Sequence, residues 1–373
     1  MDKIQMVDLK SQYENIETEI DAAIKEVITT SNFINGKAVK EFSRDLERHL
    51  NVKHVIPCGN GTDAIQIALM SLDLKPGDEV ITSTFTFIAT AEVIALLGLT
   101  PVFVDVDKYN FTIDPNDVRK KVTSKTKVIL PVHLYGQCAP MEEIMKIANE
   151  HSIYIIEDTA QAIGSNYKFS NGEKKPAGTI GNIGTTSFFP SKNLGCYGDG
   201  GAIFTNDDSL AEKLKMITNH GSRIKYHHEI VGVNSRLDSI QAAVLKIKLP
   251  LLNSYSKARF KAAQLYSEGL KNIDWIITPK IAAYSDHVFH QYTLQITNGK
   301  RNELKEYLEL NNIASMIYYP IPLHKQKAFL KYTDKSVFKC SDELEAKVLS
   351  LPMHTELSEE TINYIIETIR KFK

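Results

Sequence analysis

The sequence predicts an α/β chain: a large domain on a mixed, mostly parallel sheet, followed by a smaller α+β unit. Three observations carry this. From Val52 onward, short apolar runs alternate with amphipathic helical stretches. Several of those runs, KVILPVHL and SIYIIED among them, are apolar throughout, as in parallel strands covered on both faces. Beyond Pro250 the alternation gives way to a long helical stretch and a few isolated strands. We place the domain boundary there, giving units 1–250 and 251–373, in keeping with roughly 150 residues per domain.

Taken in order, Ser11–Thr30 reads as one amphipathic helix, with Ile16, Ile20, Ile24 and Val27 three or four apart. SNFING breaks it, and Lys37–Leu50 forms a second. VKHVIPC is a strand that runs through Gly59-Asn60-Gly61 into the helix TDAIQIALMSL, with Thr62 or Asp63 as its cap. EVITS, ATAEVIALLGL and PVFVDVD follow as strand, helix and strand. Asp114 and Pro115 open a short helix as cap and first-turn residue. KVILPVHL, APMEEIMKIANEH and SIYIIED continue the pattern. SNGEKKPAGTIGN is an exposed hairpin or loop. TTSFFP and GGAIFTND are further strands, and DSLAEKLKMITNH is a helix capped at Asp207 or Asp208. The helix DSIQAAVLKIKL meets Pro250. In the tail, HVFHQYTLQI and IASMIYYP read as strands around the helix NELKEYLELNN, and SEETINYIIETIRKF is the last helix.

With 43% apolar and 24% charged residues, the chain is an ordinary globular one. Its 44 basic and 45 acidic side chains leave no basic excess, so no nucleic-acid partner is expected. No window approaches the roughly 20 apolar residues of a membrane span. MDKIQMVDLK has no apolar signal region. Four separated cysteines without a CxxC suggest reduced thiols and no metal site. A cytoplasmic protein is the expectation.

Three segments carry candidate chemistry. In IIEDTAQAIG an apolar strand ends at Asp158, where open α/β sheets bind ligands; a helix cap is the other reading. In TTSFFPSKNLGCYGDGGAIF, Lys192 stands in a turn between apolar segments, among glycines that permit close backbone approach. A lysine used as a covalent amine needs such a partly desolvated place; the bland reading is a surface lysine. In CGNGTDAI, the amides at a helix start and the Thr62 hydroxyl could cradle an anion, or simply cap a helix. Together the three say more. An aldehyde cofactor with a phosphate and a pyridine nitrogen needs a cradle, a carboxylate and a lysine. The chain offers Gly61-Thr62, then Asp158, then Lys192 34 residues later.

That order, with the motifs NGTDAIQIAL, GDEVITSTFTFIATAEVI, IIEDTAQAIG, SFFPSKNLGCYGDGGAIFTND, GVNSRLDSIQAA and YYPIPLHKQ, resembles the DegT/DnrJ/EryC1/StrS sugar aminotransferases over essentially the whole chain. The resemblance implies an aspartate aminotransferase-like fold (fold type I) and pyridoxal 5'-phosphate, alternating with its amino form, as cofactor. It implies Lys192 as the covalent amine and proton shuttle, Asp158 on the pyridine nitrogen and Gln161 near the phenolic oxygen. It puts Phe87 on the ring face and Gly61, Thr62 and Ser187 on the phosphate. Asn234 would reach the phosphate of a neighbouring subunit, hence a homodimer with shared sites. The implied substrates are a nucleotide-linked keto-sugar and glutamate, which leaves as 2-oxoglutarate. The likeness is greatest to enzymes that aminate C3 of UDP-2-acetamido-2-deoxy-3-keto-glucuronate, which points to bacterial surface polysaccharide such as O-antigen. Arg236 suits a substrate carboxylate. His227, Tyr319 and His324 are substrate-contact candidates; His227 and His228 lack the further ligands of a metal pair. The PVHLYGQ segment with His133 is shared with relatives acting on dTDP-3-keto-6-deoxyhexoses, an alternative substrate. A sugar dehydratase is disfavoured because Lys192 is retained, and a non-catalytic regulator because no basic helix-turn-helix precedes Val52.

Overall fold

The computed structural model describes residues 3–333 and 336–372. Its central sheet has seven strands. In spatial order they are His54–Cys58, Gly201–Thr205, Ile183–Ser187, Tyr154–Asp158, Thr126–Leu130, Glu79–Ser83 and Thr100–Val104. Gly201–Thr205 runs antiparallel to both neighbours, and the other pairings within the sheet are parallel. The mixed, mostly parallel sheet is the predicted one.

The apolar runs are explained by the two covered faces. Val80, Val128 and Ile156 pack on one side with Ile67 and Leu69 of the Gly61–Met70 helix and Leu214 of the Asp208–Thr218 helix. Their chain neighbours Ile81, Ile129 and Ile155 pack on the other side with Val118, Met141, Ile144 and Ile147. Alternate side chains of a strand face opposite ways, so a sheet buried on both sides needs apolar residues at every position. Phe42, Leu46 and Leu245 complete the second face against Val55 and Phe204.

A separate core lies C-terminal to these. The Leu252–Leu270 and Glu359–Lys371 helices bury Tyr266, Leu270, Ile362, Ile365 and Ile369 on Tyr292, Leu294, Leu349 and Leu351. The small sheet here is Ile276–Ile277, Tyr292–Ile296 and Val348–Leu351, all antiparallel.

The local expectations need four corrections. The first helix starts earlier, where Asp8 caps it through the Ser11 amide, and breaks into Leu9–Glu14 and Glu17–Thr30 because Ile16 leaves the helical backbone at φ −136°, ψ 21°. IASMIYYP is no strand: Ile313 and Met316 make only single bridges, to Ile4 and Ser350. The partner of Tyr292–Ile296 is instead Val348–Leu351, and the ladder starts at Tyr292 because the preceding residues turn. The helix after Cys58 is capped by Asn60, whose side chain accepts from the Asp63 amide at 2.8 Å, and not by Thr62 or Asp63. The polar stretch near 170 does form a hairpin, Asn166–Lys168 with Lys174–Pro176.

Two histidines of this region are buried and neutral. Burial pushes His287 down to about 3. Burial, with help from the Arg259 charge and against Asp8, takes His354 to about 4. Both folded values lie below the free-histidine value of 6.5, so the unfolded chain takes up protons first as pH falls. Stability is therefore expected to decline from pH 6.5 towards pH 4 by about 1.4 kcal/mol per pH unit for each. Urea midpoints across that range test this. His287→Gln should flatten the slope, and an unchanged slope would mean that His287 is already charged at pH 6.

Candidate active site

The ends of the parallel strands bring the predicted residues to one edge of the sheet, where open α/β sheets bind ligands. Gly201 sits opposite both Cys58 and Ser187 in the ladders. A Cβ on Gly201 would stand 2.4 Å from the Asn60 carbonyl oxygen, so glycine is what lets the Gly59–Gly61 turn lie there. The glycines of this segment thus serve backbone packing as well as any ligand.

The cradle forms at the start of the Gly61–Met70 helix. Asn60 occupies the Asp63 amide, and the Ala64 amide bonds the Asn60 carbonyl. The amides of Gly61 and Thr62 are left for an anion, and the helix dipole favours one. A Cβ on Gly61 would lie 2.7 Å from Ser187 Cβ, so a glycine there lets the Ser187 hydroxyl stand beside these amides. Among the described residues the Thr62 hydroxyl has no protein partner. The donor set of amides and two hydroxyls fits a phosphate.

Asp158, 6% exposed, is held at the end of its strand. Its Oδ2 accepts from Thr90 Oγ1 at 3.0 Å and its Oδ1 from the Ala160 amide at 3.0 Å. Thr90 lies in the Ala89–Leu96 helix, and nothing in its sequence position marks it as a partner. Gln161 accepts from the Tyr135 amide at 2.7 Å and donates to the Tyr319 hydroxyl at 3.0 Å. Burial pushes the Tyr319 phenol upward, so its own proton remains to be donated. Phe87 is 54% exposed, and its ring lies 6.4 Å from that of Tyr319. An apolar ring left so open suits stacking on a planar ligand.

Lys192 stands in the turn that joins the antiparallel strands Ile183–Ser187 and Gly201–Thr205. Its amide donates to Phe189 O at 2.8 Å, which fixes the turn. The side chain is half-buried. Loss of solvation pushes its amine down to about 8, while the charge of Asp158 pulls it back up. A readily neutralised amine near a carboxylate, an open aromatic face and an anion cradle together fit pyridoxal phosphate.

Behind the turn, Asn193 meets His290 Nδ1 at 3.3 Å. Arg259, buried with no carboxylate partner among the described residues, donates to the carbonyls of Phe289 at 3.3 Å and Met353 at 2.9 Å. The Asn193–His290 and Arg259–Met353 contacts were not legible in the sequence, because each spans more than ninety residues.

The remaining candidates are more dispersed. Ser235 accepts from the Gly59 amide at 2.8 Å and donates to Asp63 at 2.6 Å, which lays the 234–236 segment on the cradle turn. Arg236 is half-buried, and its guanidinium has no protein partner among the described residues. Asn234 is exposed and bridges Asn219. His227 is exposed in the hairpin Ser222–Ile224 with His227–His228, beside Tyr226 at 81% exposure. His324 is mostly buried, with its nitrogens engaged by Thr84 and Asp342. His133 is fully buried: Nε2 meets Glu157 at 2.9 Å and Nδ1 accepts from the Ala139 amide at 2.9 Å. With both ring nitrogens used inside the core, it does not read the sugar. No group of three or more metal-ligating side chains occurs among the described residues. No helix among them is long and apolar enough to cross a membrane.

Comparison with known proteins gives the family and the fold. The DegT/DnrJ/EryC1/StrS aminotransferase family model matches residues 14–370. A "pleiotropic regulatory protein" of Geobacillus stearothermophilus is 49% identical over 99% of this chain and 98% of its own. The UDP-2-acetamido-2-deoxy-3-oxo-D-glucuronate aminotransferase of Pseudomonas aeruginosa is 43% identical over 97% of this chain and 98% of its own. The solved structure of NtdA from Bacillus subtilis, with bound cofactor PMP, superposes with a TM-score of 0.90 at 30% identity, over all of this chain and 86% of that one. By a match that spans nearly every residue, the chain belongs to the DegT/DnrJ/EryC1/StrS aminotransferase family.

Proposed function

We propose that this aminotransferase uses pyridoxal phosphate to move the amino group of glutamate onto a nucleotide-linked keto-sugar. The sugar is UDP-2-acetamido-2-deoxy-3-keto-glucuronate, aminated at C3, for a bacterial surface polysaccharide such as O-antigen. The observation that carries the chemistry is the Lys192 amine, half-buried and lowered to about 8, facing the charge of Asp158. The sugar rests on the 43% identical relative. The regulator-like name of another relative argues for no loss of chemistry here, since Lys192, Asp158 and the cradle are all in place.

The cofactor, when bound, supplies an electron sink and carries the amino group between two half-reactions. The amides of Gly61 and Thr62, with the hydroxyls of Thr62 and Ser187, hold its phosphate. Asp158, oriented by Thr90, keeps a proton on its ring nitrogen. Phe87 covers one ring face, and Gln161 stands near the phenolic oxygen. Lys192 is the nucleophile and the base that takes and returns the substrate proton. Arg236 binds a carboxylate through two parallel hydrogen bonds. The exposed hairpin bearing Ile224, Tyr226 and His227 reaches a second copy, and Asn234 completes that copy's phosphate site, so the working unit is a cytoplasmic homodimer. The change in residue order near Pro250 marks its two domains.

The visible spectrum of the purified protein tests this. A band that bleaches with glutamate and returns fastest with the UDP-keto-glucuronate supports the whole reading. Faster return with a dTDP-3-keto-6-deoxyhexose would overturn the sugar alone. A protein that stays colourless with added pyridoxal phosphate would overturn the chemistry.

A further inference from the structure

His324 makes more connections than a substrate contact needs. Thr84 follows the Glu79–Ser83 strand and starts the segment that carries Phe85 and Phe87. The His324 amide donates to Thr84 Oγ1 at 3.1 Å, and the Leu323 amide donates to Thr84 O at 2.8 Å. His324 Nδ1 lies 2.6 Å from the same Oγ1. The carboxylate of Asp342 beside Nε2 can only accept, so in the neutral ring Nδ1 is the bare nitrogen and the Thr84 hydroxyl donates to it. The ring proton therefore sits on Nε2, which donates to Asp342 Oδ1 at 3.0 Å. Asp342 belongs to the Lys339–Lys347 helix, is also held by Lys325 at 2.8 Å, and its helix start is fixed by Asp105 on the Ser341 amide at 2.9 Å. The ring packs 4.5 Å from that of Phe338.

The other end of the same loop reaches the site. Tyr319 bonds Gln161, and Tyr135 donates to the Tyr318 carbonyl. The Tyr319 ring lies 6.1 Å from Phe85 and 6.4 Å from Phe87. The loop is thus pinned at Gln161 and at Thr84, and the open Phe87 ring hangs from the segment that Thr84 begins.

We propose that His324 is a positioning residue: through Thr84 and Asp342 it fixes the aromatic wall of Phe87 and Tyr319 on which the cofactor ring rests. This rests on the pyridoxal phosphate reading above.

The test is the dissociation constant of pyridoxamine phosphate, measured on the purified dimer or monomer as it stands, with melting temperature and kcat at saturating cofactor. Asparagine places its amide oxygen where Nδ1 was and keeps the Thr84 bond; glutamine reaches the Nε2 position and keeps only Asp342. Thr84→Val and His324→Gln should each weaken pyridoxamine phosphate about tenfold, with kcat at saturation changed less than about threefold. His324→Asn should stay within about threefold of the parent in both. Equal loss of melting temperature in all three, with cofactor affinity unmoved, would overturn the proposal and leave His324 a core residue. Should His324→Gln fail to fold, Thr84→Ala replaces it, with the same tenfold expectation and the same overturning result. A parent protein that binds no pyridoxamine phosphate would instead defeat the cofactor reading, a different failure.

Discussion

Lys192→Ala is expected to cut kcat by at least about 10⁴-fold, measured as 2-oxoglutarate formed from glutamate and keto-sugar. One amine is placed to serve as covalent partner, base and acid, and no other lysine among the described residues takes its position at the strand ends. An alanine protein that turns over at the parent rate would exclude Lys192 from the chemistry. Removing the amine should also stabilise the fold. The folded value near 8 lies below the free value of 10.5, so burying the charged form costs free energy. The unfolded chain protonates first as pH falls from 10.5 to 8, and below 8 the full cost is present. Lys192→Met should therefore gain about 1–3 kcal/mol at pH 7, allowing for partial exposure, and the gain should vanish above pH 10. A site that is less stable with its working residue than without it is the usual compromise of function.

Asp158→Asn should be nearly as severe, with kcat lower by about 10³-fold and melting temperature little changed. The amide keeps the shape, and its oxygen can still accept from Ala160. What it loses is the charge that holds a proton on the ring nitrogen, and without that proton the electron sink is weak. The same charge pulls the Lys192 amine upward. Its loss should lower that amine further, visible as an acid shift in the pH profile of Lys192 modification in cofactor-free protein. A kcat within tenfold of the parent would remove Asp158 from this role. Thr90→Val is a milder control, because it frees one carboxylate oxygen without touching the charge.

Much of this protein was legible in its sequence. The doubly apolar runs of Val80-Ile81, Val128-Ile129 and Ile155-Ile156 already require a sheet covered on both faces, because period two leaves no face for water. The turn chemistry of Gly59–Gly61 and the position of Asp158 at a strand end are local facts as well. Where the sequence misled, the deciding contacts were long-range. IASMIYYP has strand composition, yet Val348–Leu351 took its place beside Tyr292–Ile296, since β pairing is settled by partners and not by propensity. The sequence offers His324, in the Pro-rich YYPIPLHKQ, as a substrate-contact candidate and gives no sign of its hydrogen-bond partners. Those partners, Thr84 and Asp342, are supplied by the segment after a strand, 240 residues before it, and by a helix 18 residues after it. The sequence by itself determined which residue types stand at strand ends and turns, because those follow from local patterning. Only the tertiary structure decided what each buried polar group bonds, because a desolvated donor must find its acceptor wherever the fold brings one.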